Sequence, residues 1–93
     1  MKITVKQHLI NFLDWHYTNK RIFRTHKIQD LSERGIQRFG KRLGSPETYT
    51  RQFRTLKEEG TYKVKKVNSK GNEQSWIVVG KELTTWLKNM LLD

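Results

Sequence analysis

The stretch Gly44-Ser45-Pro46-Glu47 limits the fold more than any other part of this 93-residue chain. A glycine supplies the left-handed residue that ends a helix, and a serine oxygen caps the free N–H groups that begin the next. Pro46 stands at the first helical position, where its missing N–H does no harm, and Glu47 faces the positive end of the dipole. One helix is therefore predicted to stop and another to start within two residues. Upstream, Ser32 reads as an N-cap, and Ile36, Phe39, Gly40 and Leu43 recur at i, i+3, i+4 and i+7, predicting a helix over 32–43. Downstream, Tyr49, Phe53 and Leu56 share one face as far as Gly60, predicting a helix over 46–59. So tight a joint makes the helices cross at a large angle, so that one braces the other and the second protrudes.

The flanks add four elements. Val5, Leu9, Phe12, Leu13 and Tyr17 lie on one helical face, giving a first helix over 4–17. Residues 18–31 allow two readings: a short strand around Ile22 and Phe23, or a helical turn capped by Thr25 and running to Leu31. After Gly60 the period changes to two, and 61–67 and 74–79 read as strands joined by the turn formers of 68–72. Leu83, Trp86, Leu87, Met90 and Leu91 form the stripe of a last helix over 81–92. Trp76 through Val79 is apolar at consecutive positions, which predicts cover on both faces of that strand. The expectation is one α+β domain over 1–93, mostly helical: two joined helices at about 32–59, a hairpin at 61–79 and a C-terminal helix at 81–92.

Charge narrows the partners. Nineteen Lys and Arg oppose nine Asp and Glu, a net +10, and from Lys20 to Lys66 there are 14 basic and 5 acidic residues, so nearly all the excess lies there. Solubility does not demand so much of one sign; a polyanion does, nucleic acid before an anionic membrane surface. No cysteine is present, which excludes disulfides and Cys-based zinc sites. No apolar run is long enough to span a bilayer, so no membrane partner is expected. The first residues lack a signal-peptide core, and the expected location is the cytoplasm (with the nucleoid) or, for a viral protein, the host-cell interior.

With Phe53 pointing inward, steps of 100° place Thr48, Arg51 and Thr55 on the far side of the third helix, with Gln52, Arg54 and Glu47 on its flanks. Hydroxyl, guanidinium and amide groups read base edges and phosphates. The run from Ser45 to Gly60, Ser-Pro-Glu-Thr-Tyr-Thr-Arg-Gln-Phe-Arg-Thr-Leu-Lys-Glu-Glu-Gly, resembles the recognition helix of winged helix-turn-helix regulators. Those carry Ser-x-x-Thr, an apolar residue, x-Arg-x, an apolar residue and Arg-x-Leu-x-x-x-Gly before a strand. The likeness is close over 45–60 and extends as a pattern over 32–79. Tyr49 and Phe53 are bulkier than the usual Val and Leu, and 18–31 is longer and more basic than the usual link. The resemblance implies a three-helix core with a β-hairpin wing. By position it also implies base contacts from Ser45, Glu47, Thr48, Arg51 and Gln52, and backbone or minor-groove contacts from Lys65, Lys66, Lys70 and Asn72. Arg54 and Thr55, with Arg38, Lys41 and Arg42 of the second helix, complete the expected DNA-binding set, although exposed lysines on an edge strand also protect against aggregation.

The function expected is sequence-specific binding of double-stranded DNA by a transcriptional regulator, without cofactor, metal or catalysis. The alternatives are a protein-interaction winged helix in a replication, packaging or transcription complex, and an RNA-binding winged helix. His8 and His16 are eight apart, not four, so they make no helical metal pair. Asp14, Asp30 and Glu33 are too scattered for a two-metal nuclease. Trp15, Trp76 and Trp86 are read as core. The last helix either packs on its own domain or pairs with its counterpart in a second chain, and the homodimer is the expectation, since two reading helices cover two half-sites.

Overall fold

The computed structural model describes residues 3–67 and 74–81. In chain order these form α1 (Val5–Asn19), β1 (Ile22–Arg24), α2 (Thr25–Phe39), α3 (Pro46–Glu59), β2 (Tyr62–Val67) and β3 (Ser75–Lys81). The strands make one antiparallel sheet in the order β1-β3-β2, giving a mostly helical α+β fold. Thr4 caps α1 by accepting the Gln7 N–H at 3.1 Å, and Lys20 ends it in a left-handed conformation. His8, Leu9 and Leu13 are buried, whereas Tyr17, expected on the same face, is exposed: it lies about 80° round the helix from Leu9.

Both readings of 18–31 are realised in succession, β1 first and then the start of α2. The helix expected over 32–43 instead runs from Thr25 to Phe39 and stops at Gly40, whose φ of 77° is left-handed. Its buried face is Ile28, Leu31, Ser32 and Gly35, one turn and more upstream of the expected stripe; Ile36 is 41 % exposed. Ser32 is therefore no N-cap. It sits mid-helix, fully buried, and donates its hydroxyl to the Gly44 carbonyl at 2.6 Å while accepting Arg42 Nε at 2.9 Å. Gly44 has no positive φ. The joint is the longer segment 40–45, folded back across α2 and tied to it by the serine, and the helix pair spans 25–59 rather than 32–59.

α3 is built as its residues predict. Ser45 Oγ accepts the Thr48 N–H at 3.3 Å, Pro46 begins the helix, and Gly60 ends it at φ 78°. Tyr49, Phe53 and Leu56 are buried against Leu9, Leu13, Phe23 and Ile28. Tyr49 also meets His8, hydroxyl to Nδ1, at 2.7 Å in the interior.

β3 is the central strand, paired with β1 through Phe23↔Trp76 and with β2 through Val64↔Val78. The β2 register skips Val79, between Gly80 (opposite Lys63) and Val78 (opposite Val64). This bulge leaves Val79 50 % exposed, so the expected cover on both faces does not reach it within the described residues. Lys81 belongs to β3, so the strand outlasts its expected end at 79 and no helix begins at 81. The expected helix beyond it and the hairpin turn lie outside the described residues. Trp76 packs against the core as expected, Trp86 lies outside the described residues, and Trp15 does not enter the core: it is 54 % exposed.

Candidate nucleic-acid interface

α3 is held from behind. Phe53 meets Phe23 and Trp76 edge to face, and Lys57 bridges to the sheet with its ammonium 4.0 Å from the Trp76 ring centre and 4.7 Å from that of Phe53. Burial, helped by the neighbouring Arg54 charge, lowers the Lys57 pKa despite the opposing Glu58. Trp76 in turn donates its indole N–H to Thr25 Oγ1 at 3.0 Å, so α3, β3 and the start of α2 form one bracket.

The opposite side of α3 is polar. Arg51 and Arg54 are exposed, and with Glu47, Thr50 and Gln29 of α2 they line a concavity of 280 Å³. Arg51 is about 160° round the helix from Phe53, and Arg54 and Glu47 flank it at about 100–120°. A guanidinium pair with a carboxylate beside it can both donate to and accept from base edges. Sequence reasoning missed Gln29 and Thr50. Gln29 comes to α3 only because α2 starts seven residues earlier than expected; no local signal marks it.

The remaining expected contacts are not all assembled there. Thr48, Gln52 and Thr55 are half-buried and do not line the concavity. Ser45 and Thr48 hydroxyls share a hydrogen bond of 3.0 Å, and Thr55 donates its hydroxyl to the Arg51 carbonyl at 3.0 Å, so these groups are already partly engaged. Lys41 is exposed in the joint, while Arg42 is engaged with Ser32. Arg38 faces away from α3, into a groove between α1 and α2. Lys65 and Lys66 are exposed on β2, on opposite faces of the sheet: Lys66 pairs with Trp76 and shares its face, Lys65 pairs with Ile77. Lys70 and Asn72 lie outside the described residues.

Two histidines are structural. Burial, and secondarily Arg38, lowers the His8 pKa, and burial raises that of Tyr49, so both shifts favour the neutral forms of the two rings that share this hydrogen bond. His16 Nδ1 donates to the Phe12 carbonyl at 2.8 Å. That bond raises its pKa, but burial outweighs it and Arg34 reinforces the lowering. Asp14 joins α1 to the sheet, accepting the Tyr62 hydroxyl at 2.7 Å and pairing with Lys81 at 3.0 Å. Burial and the Asp14 carboxylate push the Tyr62 pKa far up. Among the described residues no group of His, Asp and Glu could hold a metal ion, and no helix is long and apolar enough to cross a membrane. Compared with protein-family models, curated proteins and solved structures, the chain has no significant match.

Proposed function

We propose that this chain is a winged helix-turn-helix module that binds double-stranded DNA sequence-specifically, as a transcriptional regulator does. In this reading α3 enters the major groove and the β2–β3 hairpin is the wing on the backbone or minor groove. The observation that carries it is the pair Arg51 and Arg54, exposed with Glu47 on the side of α3 turned away from the core. Arginine pairs bidentately with guanine O6 and N7, a carboxylate accepts from cytosine N4, and a second guanidinium suits a phosphate. Two further features support the reading. The order α1-β1-α2-α3-β2-β3, with the short first strand pairing with the last, suits a winged helix, and Glu47 in the first turn of α3 is exposed. The net charge of +10 suits a polyanion.

Titration of the full chain against duplex DNA, single-stranded DNA and structured RNA at several salt concentrations tests the proposal. The expected result is tightest binding to duplex DNA, with a sequence preference found by selection from random duplexes. Equal affinity for every duplex after selection, or tighter binding to structured RNA, would refute it.

A further inference from the structure

On the flank of α2 away from α3 lies a second and larger concavity, a groove of 1020 Å³ between α1, β1 and α2. Gln29 and Lys27, two residues apart, face opposite flanks of α2: Gln29 lines the α3 concavity and Lys27 this groove. Lys27, Arg34 and Arg38 form its α2 wall, at helical steps of about 10 Å and about 6 Å. No carboxylate is among the described residues that line it. Its floor is chiefly aromatic. Phe12 meets Phe23 at 5.3 Å and His16 at 4.1 Å between ring centres, His16 meets Trp15 at 4.9 Å, and Phe23 meets Phe53 in the core. Trp15 is thus the exposed end of a row of rings rooted in the interior, and with Ile22, equally 54 % exposed and lining the same groove, it leaves apolar surface open to a partner. The imidazoles of His8 and His16 bring no settled charge, since burial lowers both pKa values.

We propose that this groove binds single-stranded DNA, with a base stacked on Trp15 and the backbone tracked by Lys27, Arg34 and Arg38. Cations in a row beside flat rings are what a sequence-tolerant single-strand site requires: the row neutralises phosphates and any base has a face to stack. Amides on both walls, Asn11 of α1 and Gln37 of α2, add donors and acceptors for base edges. An acidic peptide would find the same cations, but its apolar anchors would meet chiefly ring faces instead of an aliphatic trough. The choice of DNA over RNA rests on the duplex-DNA reading of α3; the groove itself does not.

Fluorescence anisotropy with labelled oligo(dT) of about eight nucleotides tests the site. Trp15→Ala should weaken binding about tenfold or more, and Trp15→Phe should retain most of it. Arg34→Glu should weaken it likewise and make the salt dependence shallower. Arg51→Ala should leave oligo(dT) binding unchanged, which separates failure of this site from failure of the α3 reading; the affinity of Trp15→Ala for a selected duplex should match the parent's. Trp15 is exposed, so a thermal melt of Trp15→Ala should coincide with the parent's. The proposal is overturned if Trp15→Ala and Arg34→Glu bind oligo(dT) as the parent does, or if Arg51→Ala alone abolishes binding. Clear preference for oligo(U) would overturn the choice of DNA. An amphipathic Leu/Asp peptide that binds through Trp15 and Arg34 while oligo(dT) does not would give the groove to an acidic protein partner instead.

Discussion

A Cβ on Gly44 would lie 2.6 Å from Val5 Cγ2, closer than real Cβ atoms come, and Val5 is β-branched and fixed in the first turn of α1. Even the smallest side chain therefore wedges the joint away from α1. Gly44→Ala should cost about 1–3 kcal/mol, a fall in melting temperature of about 4–8 °C per kcal/mol for a domain of this size. Val5→Ala in the same chain should recover part of the loss; no recovery would mean that the joint is strained elsewhere. Gly44 thus matters for a reason other than the left-handed turn its sequence context suggests, because the residue that needs its space is 39 positions away. Arg51 is the opposite case, a side chain whose packing role is small. Arg51→Ala should leave the melting temperature within about 2 °C of the parent's. On a cognate duplex it should cost about 1–3 kcal/mol and relax specificity there. If it binds all duplexes as the parent does, α3 does not read bases.

Within α2, Gly35 stands mid-helix, where glycine is about 1 kcal/mol less favourable than alanine. A Cβ there would meet Tyr49 Oη at 3.7 Å and His8 Cε1 at 3.8 Å, ordinary contacts. Gly35→Ala should therefore stabilise the protein by about 0.5–1 kcal/mol in urea unfolding. A loss would show that the His8–Tyr49 pair tolerates no added contact. The same pair makes stability depend on pH. Burial, then Arg38, lowers the His8 pKa below its ordinary 6.5, so in the window beneath 6.5 the unfolded chain binds more protons than the folded one. Stability should be full above that value and decline as the pH falls through the folded-state pKa. His8→Gln, whose amide can still meet Tyr49, should flatten part of the decline in urea midpoint between about pH 7 and about pH 5; a pH profile identical to the parent's would clear His8 of the effect. α3 was legible from end to end because its cap, proline, apolar stripe and terminal glycine are all local. The start of α2 is not legible locally because it is fixed from afar: Arg24 makes no side-chain cap, and Thr25 is pinned by its N–H to the Gln74 carbonyl at 3.2 Å and by the Trp76 indole. Ser32 carried a cap-like sequence context yet serves the joint, and β1, three residues long, exists because β3 is there to pair with it.

At the scale of the molecule, basic side chains divide between two surfaces on opposite flanks of α2, and Lys66 lies apart from both, exposed on the sheet face that carries Trp76. The sequence disclosed the excess of charge but not this division, since Arg38 and Arg42 look alike in the chain while one lines the α1–α2 groove and the other ties the joint. The division predicts how binding responds to salt. Each phosphate neutralised on duplex DNA contributes roughly −0.9 to the slope of log K against log[salt]. With about 5–7 basic side chains engaged by duplex, the slope should be about −4.5 to −6.3. Lys66→Ala should weaken all duplexes alike and bring the slope about one unit nearer zero. Arg34→Glu, on the far flank, should leave the duplex slope almost unchanged, because exposed charges beyond about 10 Å are screened at ordinary ionic strength. Were Arg34→Glu to flatten the duplex slope as much as Lys66→Ala does, a single DNA path would have to run over both flanks of α2. A flat response in the parent would remove duplex DNA as the main partner.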